Sequence, residues 1–404
     1  MSKDEPVELE GAIVGERYKM IRPLGAGSFA CVYLAEDLFC EPGPEHDLKR
    51  YVAIKLEHVR ARYPMLKYEN RLYQRLEGGL GIPKVKYFGT AADHKCLVMD
   101  LQGPTLEDVF NMCDRQFSTK SVCLLADQLF SRCEFIHNKC FIVRDIKPAN
   151  FLTGIEERGE AGLVFAIDFG LAKKFMSAST GEHIPFRDKK PLTGTARYAS
   201  INAHKGYEQS RRDDLESVCY CLIYFSRNGK LPWMGLPAPT KEAKYARICA
   251  RKEETLTDDL MQDCPAELRA ALGESLDYAR QLEFEEEPDY AMLRKKFRDL
   301  FRKQGYGNPD DPAVFDWMPG AEEDDTSTEI SGGAGAPPRD TQVSMQTGHD
   351  QSDSRTLHKA KGPKKMVDLT KSMETYGDKP EDLPDDMKTH HGDTKKGGGG
   401  CVLL

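Results

Sequence analysis

The sequence predicts an α+β fold with two lobes, a small β-rich one followed by a larger helical one, and then a disordered tail. Short β-forming runs dominate from residue 18 to about residue 99, and helical periodicity takes over from Thr105. After Asp316-Trp317-Met318 the composition changes to acidic residues, Ser, Thr, Gly and Pro, with few aromatics. Such a segment buries too little apolar surface to offset its ordering entropy, so residues 318–404 are predicted to be disordered.

The first lobe is predicted from β-rich runs at residues 31–34, 51–54 and 96–99, interrupted by a helix-like stretch at residues 66–76. In the second lobe, Thr105 and Asp108 form a plausible capping pair at a helix start. Apolar residues between Val122 and Ile136 recur at i, i+3, i+4 spacing, which indicates one face of a long helix. The cleft between two such lobes is a common ligand site.

Bulk composition narrows the function classes. The 404 residues are 40% hydrophobic and 30% charged, which is ordinary for a protein with a sizeable core. The formal net charge of -8 argues against a general nucleic-acid binder, so no nucleic-acid partner is expected. The 12 cysteines are scattered without zinc-ligand spacing, which favours reduced thiols in a cytosolic protein. No secretory signal and no apolar run near the ~20 residues that cross a bilayer is present.

A glycine-containing turn lies between two predicted strands of the first lobe. Glycines let the backbone approach phosphate oxygens and direct N–H groups at them. An ordinary strand turn is the alternative, and a dinucleotide-binding turn is disfavoured because strand residues follow where a helix should start. The turn comprises Leu24, Gly25, Ala26, Gly27, Ser28 and Phe29, with Val32 in the strand that follows.

Lys55 ends the apolar run Val52-Ala53-Ile54. Because an unpaired buried ammonium is costly, this lysine calls for anionic partners, namely phosphates and a carboxylate. Glu69, in the helix-like stretch, is the natural carboxylate. A solubilising charge on an edge strand is the alternative, but the position of Lys55 after the glycine turn favours a phosphate-binding role.

Two further segments contain a carboxylate that suits catalysis or metal binding. Asp145 and Asn150 are five residues apart, which suits a carboxylate beside an attacking hydroxyl and an amide oxygen on Mg²⁺. Lys147 is expected beside the transferring phosphoryl group, where it offsets developing charge. Asp168 follows an apolar strand and begins Asp168-Phe169-Gly170, which supplies a second hard oxygen ligand for Mg²⁺.

These features, in this order, resemble the eukaryotic protein kinase superfamily and, within it, the casein kinase 1 family from residue 18 to residue 317. Most kinases carry A-P-E after the activation segment, whereas this sequence has Ser200-Ile201-Asn202 within residues 192–202, a hallmark of casein kinase 1. Residues 103–108 and 208–217 carry the other specific similarities.

The resemblance implies a protein kinase fold with an N-lobe at about residues 18–101, a C-lobe at about residues 102–317 and an N-terminal extension at residues 1–17. It also implies ATP-dependent phosphorylation of Ser or Thr, with Asp145, Lys147, Lys55 and Glu69 as catalytic residues. Met99 looks like the gatekeeper of the adenine pocket, and Asp100 and Leu101 look like the hinge. The ATP-binding residues would be Leu24, Gly25, Ala26, Gly27, Ser28, Phe29, Val32, Ala53, Lys55, Met99, Asp100 and Leu101.

The family prefers Ser or Thr that follows acidic or phosphorylated residues, and basic residues of this chain match that preference. Arginine holds a phosphate bidentately and lysine acts as a point charge. Solvated surface charges are the alternative for these side chains. The family also implies activity without phosphorylation of the activation loop. The first anion site would comprise Arg197, Gly235 and Lys244, and a second would comprise Arg144, Lys173 and Lys190.

Some positions depart from the kinase pattern. Val143 stands where H-R-D has histidine, Ala149 replaces an aspartate beside Asn150, and Ala30 replaces the third glycine of the loop. The departures at Val143 and Ala149 leave a second function open, a pseudokinase or scaffold that binds nucleotide or partners without efficient turnover.

The terminal residues Cys401-Val402-Leu403-Leu404 fit a C-a-a-X prenylation motif, and the final leucine favours a geranylgeranyl group. A prenyltransferase is therefore an expected partner, and the lipid would hold the protein at the cytoplasmic face of membranes as well as in the cytoplasm. Because one lipid anchors reversibly, Lys395-Lys396 and the basic residues 359–365 are candidates for a second attraction to anionic lipids. A merely flexible basic stretch is the alternative.

Overall fold

A six-stranded sheet forms the N-terminal lobe of the computed structural model, which describes residues 9–26, 31–41 and 48–318. The strands are β1 (Ile13–Val14), β2 (Tyr18–Ala26), β3 (Cys31–Asp37), β4 (Tyr51–His58), β5 (Val85–Ala91) and β6 (His94–Asp100). Neighbours pair antiparallel in the order β1-β2-β3-β4-β6-β5. Strand β1 pairs with β2, so the sheet already includes Ile13 and the fully buried Val14.

Helix α1 (Leu66–Leu76) packs on this sheet through an apolar face that includes Leu72, Tyr73 and Leu76. The helix occupies the residues predicted from the sequence. Glu69 lies on the buried side as well and is 2% exposed, which is unusual for a carboxylate without a partner.

The C-terminal lobe is mainly helical. Its helices are α2 (Leu106–Met112), α3 (Thr119–Asn138), α4 (Ile201–His204), α5 (Arg211–Ser226), α6 (Lys241–Glu254), α7 (Thr257–Met261), α8 (Arg269–Gln281) and α9 (Tyr290–Lys303). Short strands lie between α3 and α4, namely β7 (Phe141–Ile142), β8 (Phe151–Thr153), β9 (Val164–Ala166) and β10 (Lys173–Lys174). The predicted capping pair is confirmed, since Thr105 and Asp108 form a capping box on α2.

Helix α5 is the centre of the C-terminal lobe. Nearly every residue of α5 is buried, and α3 and α8 pack against it. In the same lobe Phe315 is fully buried, and Asp316 accepts hydrogen bonds from the backbone and hydroxyl of Ser118 at 2.6 Å, at the start of α3. The segment at which the composition changes is therefore anchored to the helical lobe.

Residues 319–404, including the predicted tail and Cys401, lie outside the described residues. Within the described part of the chain, no helix is long and apolar enough to cross a membrane. Every cysteine in that part is a free thiol, in agreement with the predicted reduced state.

Candidate active site

Lys55 joins the two lobes through carboxylates. Its Nζ donates to Glu69 of α1 at 2.7 and 3.0 Å and to Asp168 of the C-terminal lobe at 2.8 Å. Burial disfavours the charged ammonium, but Asp168 and Glu69 outweigh this effect and raise the pKa of Lys55. Burial also opposes the charge of Asp168, and the contact with Lys55 nevertheless holds the pKa of Asp168 below its ordinary value. The structure therefore brings the predicted pair together and adds Asp168 to it.

Glu57 holds α1 in the position that this contact requires. It lies on β4, the strand of Lys55, and is 3% exposed. Its Oε1 accepts from the backbone N–H groups of Met65 at 2.5 Å and Leu66 at 2.9 Å, and Oε2 accepts from Lys95 at 3.1 Å. A carboxylate at a helix N-terminus satisfies free N–H groups and complements the helix dipole. Sequence reasoning missed Glu57, although its place two residues after Lys55 was a usable signal.

Asp145 lies at the start of the loop formed by residues 144–150, which we call the catalytic loop, and is 7% exposed. Its carboxylate accepts several hydrogen bonds. Its Oδ1 accepts from the backbone N–H and hydroxyl of Thr195 at 2.9 and 2.7 Å. Asn150 Nδ2 donates to the Asp145 carbonyl at 2.9 Å and to Oδ2 at 3.3 Å. Lys147 Nζ lies 3.3 Å from Oδ2. The three predicted loop residues are thus brought together around one carboxylate.

The approach of Thr195 depends on Gly194, which has φ +98°. A Cβ at this glycine would lie 2.2 Å from the carbonyl oxygen of Arg144, a distance that real side chains do not reach. Glycine is therefore required where the segment carrying Thr195 meets the catalytic loop.

Asp214 of α5 binds the backbone of the catalytic loop. Its carboxylate accepts from the N–H groups of Val143 at 2.6 Å and Arg144 at 2.8 Å, and it lies 2.9 Å from His137 Nε2. Arg144 has φ +68°, an uncommon conformation that these bonds fix in place. Val143, which replaces the usual histidine, is 4% exposed and packs in the core of the lobe. The loop is therefore held through its backbone without that histidine.

Asn150 and Asp168 form an oxygen-donor pair suited to a divalent metal. Because Nδ2 of Asn150 points at Asp145, its amide oxygen is the atom left for a cation. The Asp168 side chain is 43% exposed, so it is accessible to a cation. Next to it, Phe169 is fully buried and packs edge-on against Tyr73 of α1 at 5.0 Å. Carboxylate and amide oxygens are ligands that Mg²⁺ prefers, so the residues fit the predicted metal.

Backbone pairing brings together the predicted nucleotide-binding residues of the sheet. Val32 is opposite Lys55, and Ala53 is opposite Met99, which is 8% exposed. Gly25 pairs with Val32 and follows the buried Leu24. The remaining predicted loop atoms lie outside the described residues: Gly27, Ser28, Phe29 and the side chain of Ala26.

The predicted hinge is tied to a loop of the C-terminal lobe. The Asp100 carboxylate lies 2.9 Å from Lys86 Nζ and 3.8 Å from Arg158. Arg158 also donates to the carbonyl oxygen of Leu101 at 2.7 Å. That carbonyl is therefore engaged by Arg158, a contact that sequence reasoning did not anticipate.

The residues of the first predicted anion site lie on three elements, and a hydrogen bond links two of them. Trp233 Nε1 donates to the carbonyl oxygen of Arg197 at 2.8 Å, so the loop leading to Gly235 is tied to Arg197. The Arg197 guanidinium lies 5.6 and 5.8 Å from the ring centroids of Tyr198 and Tyr224. In the described part of the chain, no carboxylate forms an ion pair with Arg197. Lys244 lies on α6, and Gly235 has φ +70° with open space around it.

The second predicted anion site contains a carboxylate of the protein itself. Glu208, 3% exposed, lies 2.7 Å from Lys173 and 3.7 Å from Lys190. Burial opposes its charge, but Lys173 and the neighbouring cations lower the pKa of Glu208. The third predicted member, Arg144, donates through Nε to the Leu171 carbonyl at 2.7 Å. An added anion would have to compete with the Glu208 carboxylate for Lys173 and Lys190. Residues 208–217 indicated only family similarity in the sequence, so this contact was not predicted.

A comparison with family models agrees with this geometry. Residues 18–281 match the model described as "Protein kinase domain", which covers more than half of the chain. The match confirms the predicted fold class, with its β-rich N-terminal region and helical C-terminal region. A protein kinase domain is a phosphotransferase that uses ATP and a divalent metal, typically Mg²⁺. The chain therefore belongs to the eukaryotic protein kinase family.

Proposed function

We propose that this protein kinase phosphorylates Ser and Thr in the manner of the casein kinase 1 family, at sites that follow acidic or phosphorylated residues. In this proposal Asp145 orients the substrate hydroxyl and accepts its proton, and Lys147 stabilises charge on the transferred group. Lys55 would hold the phosphates that stay on the nucleotide. Asn150 and Asp168 would hold Mg²⁺, which neutralises phosphate charge when bound. The sequence similarity in residues 192–202 supports the assignment to casein kinase 1 type.

The position of Arg197 is the observation that carries the substrate preference. Arg197 lies two residues after Thr195, which contacts Asp145, so its guanidinium belongs to the segment that touches the catalytic carboxylate. Aromatic rings and Trp233 fix this arginine, and no carboxylate of the described residues forms an ion pair with it, although the charge of Glu107 acts on it from a longer distance. A preorganised arginine without a directly paired carboxylate suits a phosphate or carboxylate of the substrate.

The alternative of a pseudokinase or scaffold is not favoured. Lys55 contacts Glu69 and Asp168, and Asp145 contacts Lys147 and Asn150. The departure at Val143 is accommodated through the backbone bonds to Asp214. The geometry for turnover is therefore assembled despite that departure.

Arg197→Gln should reduce the preference for phosphorylated substrates. Peptides that carry phosphoserine, aspartate or alanine upstream of one Ser would be compared by kcat/KM. A lost charge-assisted hydrogen bond corresponds to about a 10- to 100-fold fall for the phosphoserine peptide, with little change for the alanine peptide. Lys295→Gln, on the exposed face of α9, is the control for loss of a positive charge. A wild-type enzyme that treats the three peptides alike, or that prefers Tyr, would contradict the proposal.

We further propose that a geranylgeranyl group on Cys401 holds the kinase on the cytoplasmic face of membranes, where it acts in signalling. The support is the C-a-a-X sequence together with the nearby basic residues.

Cys401→Ser should move the protein from the membrane pellet to the soluble fraction, because serine cannot form the thioether. The measurement is fractionation of cells that express full-length wild type or variant, with intact mass to detect the lipid. Cys40→Ser, an exposed cysteine of the N-terminal lobe, is the matched control and should fractionate like wild type. If Cys401→Ser stays in the pellet to the same extent as wild type, the lipid anchor is wrong.

A further inference from the structure

Lys252 is a fully buried lysine in α6, remote in sequence from every predicted catalytic residue. Its Nζ donates to the carbonyl oxygens of Ala196 at 3.0 Å and Ala199 at 2.5 Å. The ammonium also lies 4.7 Å from the ring centroid of Tyr220 and 5.1 Å from that of Trp233. Carbonyl oxygens and aromatic faces are both favourable neighbours for a cation.

The surroundings of Lys252 do not include a paired carboxylate. Among residues 9–26, 31–41 and 48–318, none forms an ion pair with it. Burial lowers the pKa of Lys252 to about 7, and the charge of Glu216 opposes this effect only in part. His204 Nε2 lies 3.4 Å away, and burial followed by the charge of Lys252 lowers the pKa of His204 to about 3, which keeps the imidazole neutral. A buried cation of this kind costs free energy that an apolar side chain would not. The hydrogen bonds to Ala196 and Ala199 are what the ammonium adds.

Those carbonyls belong to the segment 195–200, which touches the catalytic base. At its start, Thr195 bonds the Asp145 carboxylate. In its middle, the Arg197 carbonyl accepts from Trp233. At its end, the Ser200 hydroxyl bonds Asp213. The segment contains no acidic residue that could anchor it by an ion pair. Lys252 and Trp233, together with His204 Nε2 at 3.0 Å from the Ala196 carbonyl oxygen, therefore hold the part between Thr195 and Ser200.

We propose that Lys252 is a positioning residue that fixes segment 195–200 against Asp145, so that a protein substrate meets a preformed surface beside the catalytic base. The proposal rests on the kinase activity and deepens it, because it concerns the peptide and not the nucleotide. The predicted nucleotide-binding contacts join Lys55 to Glu69 and Asp168, whereas Lys252 bonds the carbonyl oxygens of segment 195–200.

Lys252→Met tests the proposal, because methionine keeps the length and apolar stem but has no donor. Two readouts separate substrate positioning from general damage: kcat/KM for a Ser peptide with upstream phosphoserine, and hydrolysis of ATP without peptide. We expect peptide kcat/KM to fall about tenfold or more, as expected for lost bonds to a charged donor, with ATP hydrolysis and the KM for ATP within about twofold of wild type. Lys252→Arg, which keeps a cation, should recover part of the loss.

Leu293→Ala is the control for lower stability, since Leu293 is fully buried in α9 away from α6. It should lower the melting temperature without changing the ratio of peptide phosphorylation to ATP hydrolysis. If Lys252→Met fails to fold, Trp233→Phe decides, because it removes the indole N–H that bonds the Arg197 carbonyl together with part of the ring that contacts Lys252, and it should lower the same ratio. Unchanged ratios in the folded variants would overturn the proposal. A wild-type protein that phosphorylates no peptide would instead contradict the kinase activity on which the proposal rests.

Discussion

Asp145→Asn should lower kcat for phosphoryl transfer about 10²–10⁴-fold, the range that a positioned general base contributes. Asparagine preserves the shape of the side chain, and its amide oxygen can still accept from Thr195, whereas its NH2 group replaces the oxygen that accepts from Asn150. An amide cannot accept the proton of the attacking hydroxyl. The KM for ATP should change little, because Asp145 contacts the catalytic loop and Thr195, whereas Lys55 contacts the metal-binding carboxylate. Steady-state kinetics with a Ser peptide measures both constants.

Asp93→Asn is the matched control for this substitution, since Asp93 is an exposed aspartate in a turn of the N-terminal lobe. It should retain wild-type kcat. A variant at Asp145 that keeps more than about a tenth of wild-type kcat would exclude Asp145 as the base, because general-base catalysis is worth more than that.

Asp168→Asn should produce the second large effect, a fall in kcat of about 10²–10³-fold together with a requirement for more Mg²⁺. Asp168 is the carboxylate of the predicted metal site and also a partner of Lys55 at 2.8 Å. An amide in its place is a weaker ligand for a hard cation, and it leaves Lys55 with Glu69 as its remaining carboxylate. Both changes reduce the charge complementarity that holds the phosphates.

The measurement for Asp168→Asn is the rate of peptide phosphorylation as a function of Mg²⁺ concentration at saturating ATP. Asn150→Ala should shift the same curve in the same direction, because it removes the other predicted oxygen ligand. Thermal melting in the absence of nucleotide controls for the loss of the Lys55 contact. An unchanged Mg²⁺ dependence in both variants would place the metal elsewhere.

The residues of the reaction itself could be found from the sequence because their chemistry demands fixed types at fixed spacings. Lys55 required a carboxylate as partner, and the helix-like stretch that follows its strand supplied Glu69. Asp145 and Asn150 lie on one short loop, so their separation along the chain already implied proximity. The β-rich and helical halves followed from residue types and periodicity.

The supporting residues could not be found in this way, because their partners are distant along the chain. Asp214 holds a loop some 70 residues earlier, and Lys252 holds a segment more than 50 residues earlier. Nothing in the local sequence marks such a contact. Helix α5 is buried on all sides, so its sequence lacks the alternation of apolar and polar faces that would have indicated a helix. Its position at the centre of the C-terminal lobe could therefore not be predicted. The role of Glu57 could have been predicted, because Glu57 lies on the same strand as Lys55.

The transfer of labelled phosphate from ATP to protein tests the central claim most directly. The full-length protein would be incubated with Mg²⁺ and an acidic Ser/Thr protein, with either γ-labelled or α-labelled ATP, beside Asp145→Asn and a sample with the metal chelated. The site described above predicts label on the substrate only from γ-labelled ATP, with loss of nearly all of it in the variant and after chelation. Equal labelling by wild type and Asp145→Asn, or no labelling by wild type, would contradict the assignment of this site as the centre of an active kinase.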